Sequence, residues 1–218
     1  NNVTFIAING LVGLSLAPVP WLATLPVMGY VVGGALSTGL VAKSQQRWGR
    51  KGSFQLGLLV AFVSAALGAW AVLSESFVLL VTATVVAGYY SANGQLYRFA
   101  AAELCKPDYR EKAVSLVMAG GLIGAIIGPN LAIRTKSLLG MPFAGAYVAL
   151  MGVALLSMTV MHFIEFPAAP SQKADDAGGR PLSQIMRQPV FVVAAMAAAL
   201  GYGVMNLLMA ATPLAMQV

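Results

Sequence analysis

Long apolar runs, separated by short joints rich in charge, proline or glycine, set the plan of this chain. A helix needs about 20 apolar residues to cross a bilayer's hydrocarbon core. Runs near that length cover residues 3–17, 21–41, 53–73, 77–103, 113–133, 143–163 and 190–214. The pattern predicts seven helical spans, the first of them short. Pro18-Val19-Pro20 closes the first, and residues 165–189, carrying Pro, Gly, Asp and Ser, read as a linker. Inside it, Leu182-Ser-Gln-Ile-Met-Arg-Gln predicts a short amphipathic helix on the membrane surface. The expected organisation is a six-helix transmembrane bundle over 1–163, a linker over 164–189 with a cytoplasmic setting, and a seventh helix over 190–218 that starts a second half. A faint repeat agrees with two halves: Asn9 and Ala17-Pro18 have counterparts in Asn206 and Thr212-Pro213. The short first run and the stop directly after an apolar run lead us to expect an interior piece of a longer polypeptide.

Composition agrees with that plan. Of 218 residues, 59% are hydrophobic and 9% charged, with mean hydropathy +0.80. Such a chain cannot cover a water-facing surface with polar groups. That excludes a soluble enzyme, a disordered segment and a secreted disulfide scaffold. The chain reads as an all-α polytopic membrane protein in a lipid bilayer. The single Cys105 and the single His162 cannot build a metal centre between them. No nucleotide-binding loop or nucleophile–base pair is present in the sequence, so neither enzyme chemistry nor a cofactor is expected.

The net charge of +6 raises nucleic acid as a partner, but the basic residues sit between apolar runs and form no stripe. Their meaning is orientation. Lys43, Arg47, Arg50, Lys51, Arg98, Lys106, Arg110, Lys112, Lys173, Arg180 and Arg187 fall on one side, against Arg134 and Lys136 on the other. The positive-inside rule places the larger set in the cytoplasm, with the N-terminus on that side.

Three stretches carry candidate chemistry. The first is the joint Ala42-Lys-Ser-Gln-Gln-Arg-Trp-Gly-Arg-Lys51, with four basic groups around a turn glycine. It resembles the joint between the second and third spans of the major facilitator superfamily, roughly G-x-L-x-D-R-x-G-R-R/K. Arg47, Gly49, Arg50 and Lys51 match, while Ala42 replaces the leading Gly and Gln46 the Asp. The second is residues 118–130, where Gly120, Gly124 and Gly128 share a helix face ahead of Pro129. Bare glycines let a neighbouring helix approach closely, and the proline bends the span. The string is similar to the superfamily's fifth-span motif, associated with proton-driven exporters. The third is the polar fourth run, in which Tyr89, Asn93 and Tyr97 share one face and Tyr90, Gly94 and Arg98 the adjacent one. Polar groups are costly against lipid, so that face should look into the bundle or a watery cavity.

The resemblance implies a major-facilitator six-helix bundle plus the first helix of the second half. It also implies roles. Arg47, Gly49, Arg50 and Lys51, with Glu103 and Arg110 from the joint after the fourth span, would form a cytoplasmic gate latch. Asn9, Tyr89, Tyr90, Asn93, Tyr97 and Asn206 would be candidates for a substrate cavity, with interhelical bonding the competing role for each. Arg98 is read as pairing with Glu103 or with another helix near the membrane surface. Glu75, Glu103 and Glu165 lie near span ends and His162 at an interface, so an interior proton carrier is missing from this stretch. The resemblance and compact loops imply a secondary transporter in a bacterial inner membrane, completed by a C-terminal half of the same polypeptide. Proton-coupled efflux of a small organic molecule is the leading expectation. Import of a sugar, organic acid or metal complex, and a non-transporting subunit of a membrane assembly, stay open.

Overall fold

The structure, a computed structural model, describes residues 2–135, 141–166 and 182–215. Lys136, Lys173, Arg180 and most of the expected linker lie outside the described residues. Helix is the regular structure throughout the described residues: α1 (Asn2–Leu16), α2 (Leu25–Leu73), α3 (Phe77–Gly94), α4 (Tyr97–Leu104), α5 (Arg110–Thr135), α6 (Ala144–Phe163), α7 (Leu182–Met186) and α8 (Pro189–Ala215). Two compact units emerge, Asn1–Ala168 and Ala169–Val218. Among the described residues, five helical stretches are long and apolar enough to cross a membrane: Pro20–Leu73, Phe77–Leu104, Arg110–Thr135, Ala144–Phe163 and Pro189–Leu208. The first of these contains two of the expected runs, and α1 is the short one.

The expected joint between the second and third runs is helical almost throughout. Its Lys, Gln and Arg residues are good helix formers, so helix persists on both sides of Gly49, which alone leaves helical geometry at φ 69°, ψ −178°. That region of backbone space is essentially open to glycine only. Gly49 therefore divides α2 into arms 25–48 and 50–73.

The fourth run differs in the opposite sense. One helix was expected over 77–103, and two form, α3 and α4. Between them the Leu96 N–H bonds to Asn93 O and the Phe99 N–H to Leu96 O, the tighter i→i−3 pattern. Gly94 and Asn93 are weak helix formers at the point of offset.

The turn from α2 to α3 closes with Ser76 N–H on Ala71 O and Glu75 N–H on Val72 O. This is a Schellman arrangement, with Glu75 in the left-handed position at φ 50° that glycine usually fills. Ser76 then caps α3 by accepting from Leu79 N–H.

Small residues bring the helices of the first unit together. A side chain at Gly33 would collide with the Val85 carbonyl, and one at Gly88 with the backbone of Gly33 and Gly34. The second-span arm and α3 thus cross backbone to backbone, the packing that small residues permit where lipid supplies no hydrophobic drive. Likewise the Tyr147 ring of α6 lies on Gly68 of α2. Tyr147 is fully buried, and its hydroxyl donates to Asn9 Oδ1 of α1 at 2.7 Å. One aromatic ring thereby joins three spans.

Candidate functional site

The turn at Gly49 projects two cations into one end of the bundle. Arg50 donates from Nε to Glu103 Oε2 at 3.0 Å and from Nη2 to Glu103 Oε1 at 2.5 Å. This is the bidentate geometry that planar guanidinium and carboxylate favour. The remaining amino group, Nη1, donates to Gln45 Oε1 at 2.6 Å. Lys51 Nζ donates to His162 O at 2.7 Å, in the last turn of α6. Carbonyls there have no partner within the helix and carry the negative end of its dipole. The Gly49 turn is thus fastened to α4 by Arg50 and to α6 by Lys51.

Of the other residues expected at this end, Arg47 lies over the ring of its neighbour Trp48 at 5.6 Å. Arg110 is the exposed first residue of α5. Arg98 does not take Glu103, whose two oxygens are occupied by Arg50. Its guanidinium stands 5.0 Å above Phe99.

Directly inside this latch runs a chain of buried hydroxyls. Tyr89 Oη donates to Ser44 Oγ at 2.9 Å. Ser44 and Ser53 hold their Oγ atoms 2.6 Å apart, and Ser53 Oγ donates to Asn93 Oδ1 at 3.1 Å. The proton order Tyr89 to Ser44 to Ser53 to Asn93 satisfies these three links and ends on an oxygen that can only accept, with Val41 O, 2.8 Å from Ser44 Oγ, the competing acceptor for the Ser44 proton. It ties both arms of α2 to α3. Gln45, Ser44 and Ser53 were not foreseen, because serine and glutamine beside a charged joint read as ordinary helix surface. The one available signal was Ser44 and Ser53 flanking Gly49 at near-equal distances.

The structure separates the six residues expected at a cavity. Asn9 is sealed in the core: its oxygen accepts from Tyr147 and its amide donates to Phe5 O. Tyr89 and Asn93 are engaged in the hydroxyl chain, and Asn93 is fully buried against Gly57. For Tyr89 and Asn93 the face looks into helix packing, because the small residues Ser44, Ser53 and Gly57 let the neighbouring arms close on it. Asn206 belongs to the second unit and donates to Tyr202 O within α8. Tyr90 and Tyr97 do line open space, a groove of about 300 Å³ bounded also by Leu58, Leu156, Val160 and Ile164. On α5 the glycine face divides too. Gly128 packs on Thr4 of α1, with no room for a side chain, whereas Gly120 and Gly124 have open space before them. Pro129 lies inside the helix next to that contact.

Residues 1–218 match the sequence model of the Major Facilitator Superfamily. The chain belongs to that superfamily. It is 35% identical over 213 residues to "Riboflavin transporter RfnT" of Brucella anthropi, covering 97% of this chain and 54% of that protein. It is 27% identical over 210 residues to "Uncharacterized MFS-type transporter YddS" of Bacillus subtilis, covering 89% of this chain and 48% of that protein. The chain thus spans about half the length of these curated relatives. Its superfamily membership and the helical architecture agree: a membrane bundle of the major facilitator kind, and no enzyme.

Proposed function

We propose that the full-length polypeptide is a secondary transporter working by alternating access, two helical halves rocking about a midplane site. The observation that carries this reading is the fastening of the Gly49 turn, with Arg50 on Glu103 and Lys51 on the end of α6. Such a latch is suited to a moving part. Arg50 and Glu103 are 28% and 47% exposed, and exposed ion pairs contribute about 0.2–1 kcal/mol. A bias near 1 kcal/mol shifts a two-state population about fivefold, enough to hold a gate and still release it. The basic end is proposed to be cytoplasmic, by the positive-inside rule, in a bacterial inner membrane.

The likeness to a riboflavin transporter over nearly the whole chain supports a flavin-class solute: flat, aromatic and polar-edged. The second half is proposed to close against α5, where Gly120 and Gly124 leave room for a helix. Export by proton antiport is the proposed mode, resting on the Gly120–Pro129 string. Among the described residues every carboxylate stands at a helix end or in a turn, so the proton carrier is assigned to residues beyond them.

Labelled riboflavin offered to everted vesicles carrying the full-length polypeptide tests this directly. The account expects accumulation that disappears when the pH gradient is collapsed. Uptake in intact cells without accumulation in everted vesicles would mean import. No flux in either, with a stoichiometric partner co-purifying, would mean a subunit of a larger assembly.

A further inference from the structure

The groove between α2, the α3–α4 offset and α6 is not explained by the latch or by solute transport. Leu58, Leu156, Val160 and Ile164 make its walls aliphatic. Leu156 and Val160 are 65% and 54% exposed, so the groove opens sideways onto whatever surrounds the helices. For spans of this length and apolarity, that surrounding is lipid. Three hydroxyl-bearing side chains, Tyr90, Tyr97 and Ser157, break the aliphatic lining. The Tyr97 hydroxyl is buried and has no hydrogen-bond partner among the described residues. Its ring is held edge-on by Phe54 at 4.7 Å, which fixes where the hydroxyl points. Of the other two, Ser157 already donates to Val153 O and Tyr90 has a partner of its own. A buried donor left unpaired is costly, so an acceptor at Tyr97 is favoured.

The depth of the groove indicates which acceptor. Its far end, at Ile164, adjoins His162, whose carbonyl takes the Lys51 ammonium. A lysine ammonium stays at headgroup level, and it has two further N–H groups to offer there. The groove therefore runs from the headgroup zone into the hydrocarbon, mostly aliphatic along its length, with Tyr90 and Tyr97 on its wall. A flat solute with many polar edge atoms would find few polar groups on these walls and lose most of its hydrogen bonds. We propose that this groove binds one glycerophospholipid. Its acyl chain lies along Leu58, Leu156 and Val160, an ester or phosphate oxygen accepts from Tyr97, and its phosphate faces Lys51. The site does not depend on the transport reading.

The full-length polypeptide, stripped of lipid in mild detergent and titrated with phosphatidylglycerol, can be read by native mass spectrometry. The wild type should retain one tightly bound lipid. Tyr97→Phe, which keeps the ring on Phe54, should weaken that retention about fivefold, as expected for one lost hydrogen bond of about 1 kcal/mol. Leu156→Trp should fill the groove and abolish it, whereas Leu155→Trp, which alters an α6 residue that does not line the groove, should leave it intact. Equal lipid retention in wild type, Tyr97→Phe and Leu156→Trp would overturn the proposal. So would riboflavin displacing the lipid mole for mole, which would make the groove a solute site.

Discussion

The hydroxyls of Ser44 and Ser53 lie 2.6 Å apart although the two residues are nine positions apart in sequence. In an unbroken helix the same residues would stand about 13.5 Å apart along the axis. Their contact exists because the chain doubles back at Gly49, where φ is 69°. No neighbouring atom crowds that glycine, so a substitution there probes backbone strain alone. Gly49→Ala should cost about 1–3 kcal/mol, seen as a lower unfolding midpoint of the purified protein in detergent. An unchanged midpoint would mean the turn relaxes freely.

Ser44 is the hub of the hydroxyl chain, so its loss should exceed that of either end. Ser44→Ala leaves Tyr89 and Ser53 each short of a partner. Polar links between membrane helices average about 0.6 kcal/mol and reach about 1.7. Ser44→Ala should fall at the upper end of that range and Tyr89→Phe near the average. The double variant should cost less than the sum, because the two share one bond. Strict additivity in denaturant titrations would show that the chain does not act as a unit.

Two glycines of similar sequence setting should behave oppositely. Gly88→Val forces a side chain into the backbone of Gly33 and Gly34 and should abolish folded protein. Gly124→Val meets open space within the first unit. It should leave the unfolding temperature unchanged within about 2 °C, in line with surface substitutions of under about 0.5 kcal/mol, yet reduce flux if a second half closes there. Wild-type flux in Gly124→Val would remove that face from the transport cycle.

Glu75 occupies the left-handed position of a Schellman turn. Side chains there cost roughly 1–2 kcal/mol that glycine avoids. Glu75→Gly should therefore raise the unfolding midpoint while leaving flux untouched, as the turn lies at the opposite end of the 50–73 arm from the Arg50 latch.

Much of this was legible in the sequence for a simple reason: hydrocarbon demands long apolar runs, and joints must carry the charge. The runs, the Gly49 turn and the presence of Arg50 and Glu103 at one end follow from that demand. Partners were less legible. Lys51 bonds to a backbone carbonyl, which has no residue identity to read. Ser44 and Ser53 meet only once the turn brings them together. Asn9 looked like a cavity residue because nothing in its own stretch announces Tyr147, which is 138 residues away. The fourth run looked continuous because its hydropathy is, while the offset after Gly94 is decided by local hydrogen bonding. On α5 the spacing of Gly120, Gly124 and Gly128 marks a shared face, but not which of them has a neighbour.

The central claim is that Arg50 and Glu103 work as one latch in a transport cycle. Labelled riboflavin flux should be measured in vesicles for Arg50→Glu, Glu103→Arg and the double exchange, at matched membrane insertion. The account predicts that each single exchange, by setting like charges against each other, lowers flux several-fold. The double exchange should restore a substantial part of it, since the opposite charges meet again. Single variants that transport at the wild-type rate, or a double variant no better than either single, would contradict it.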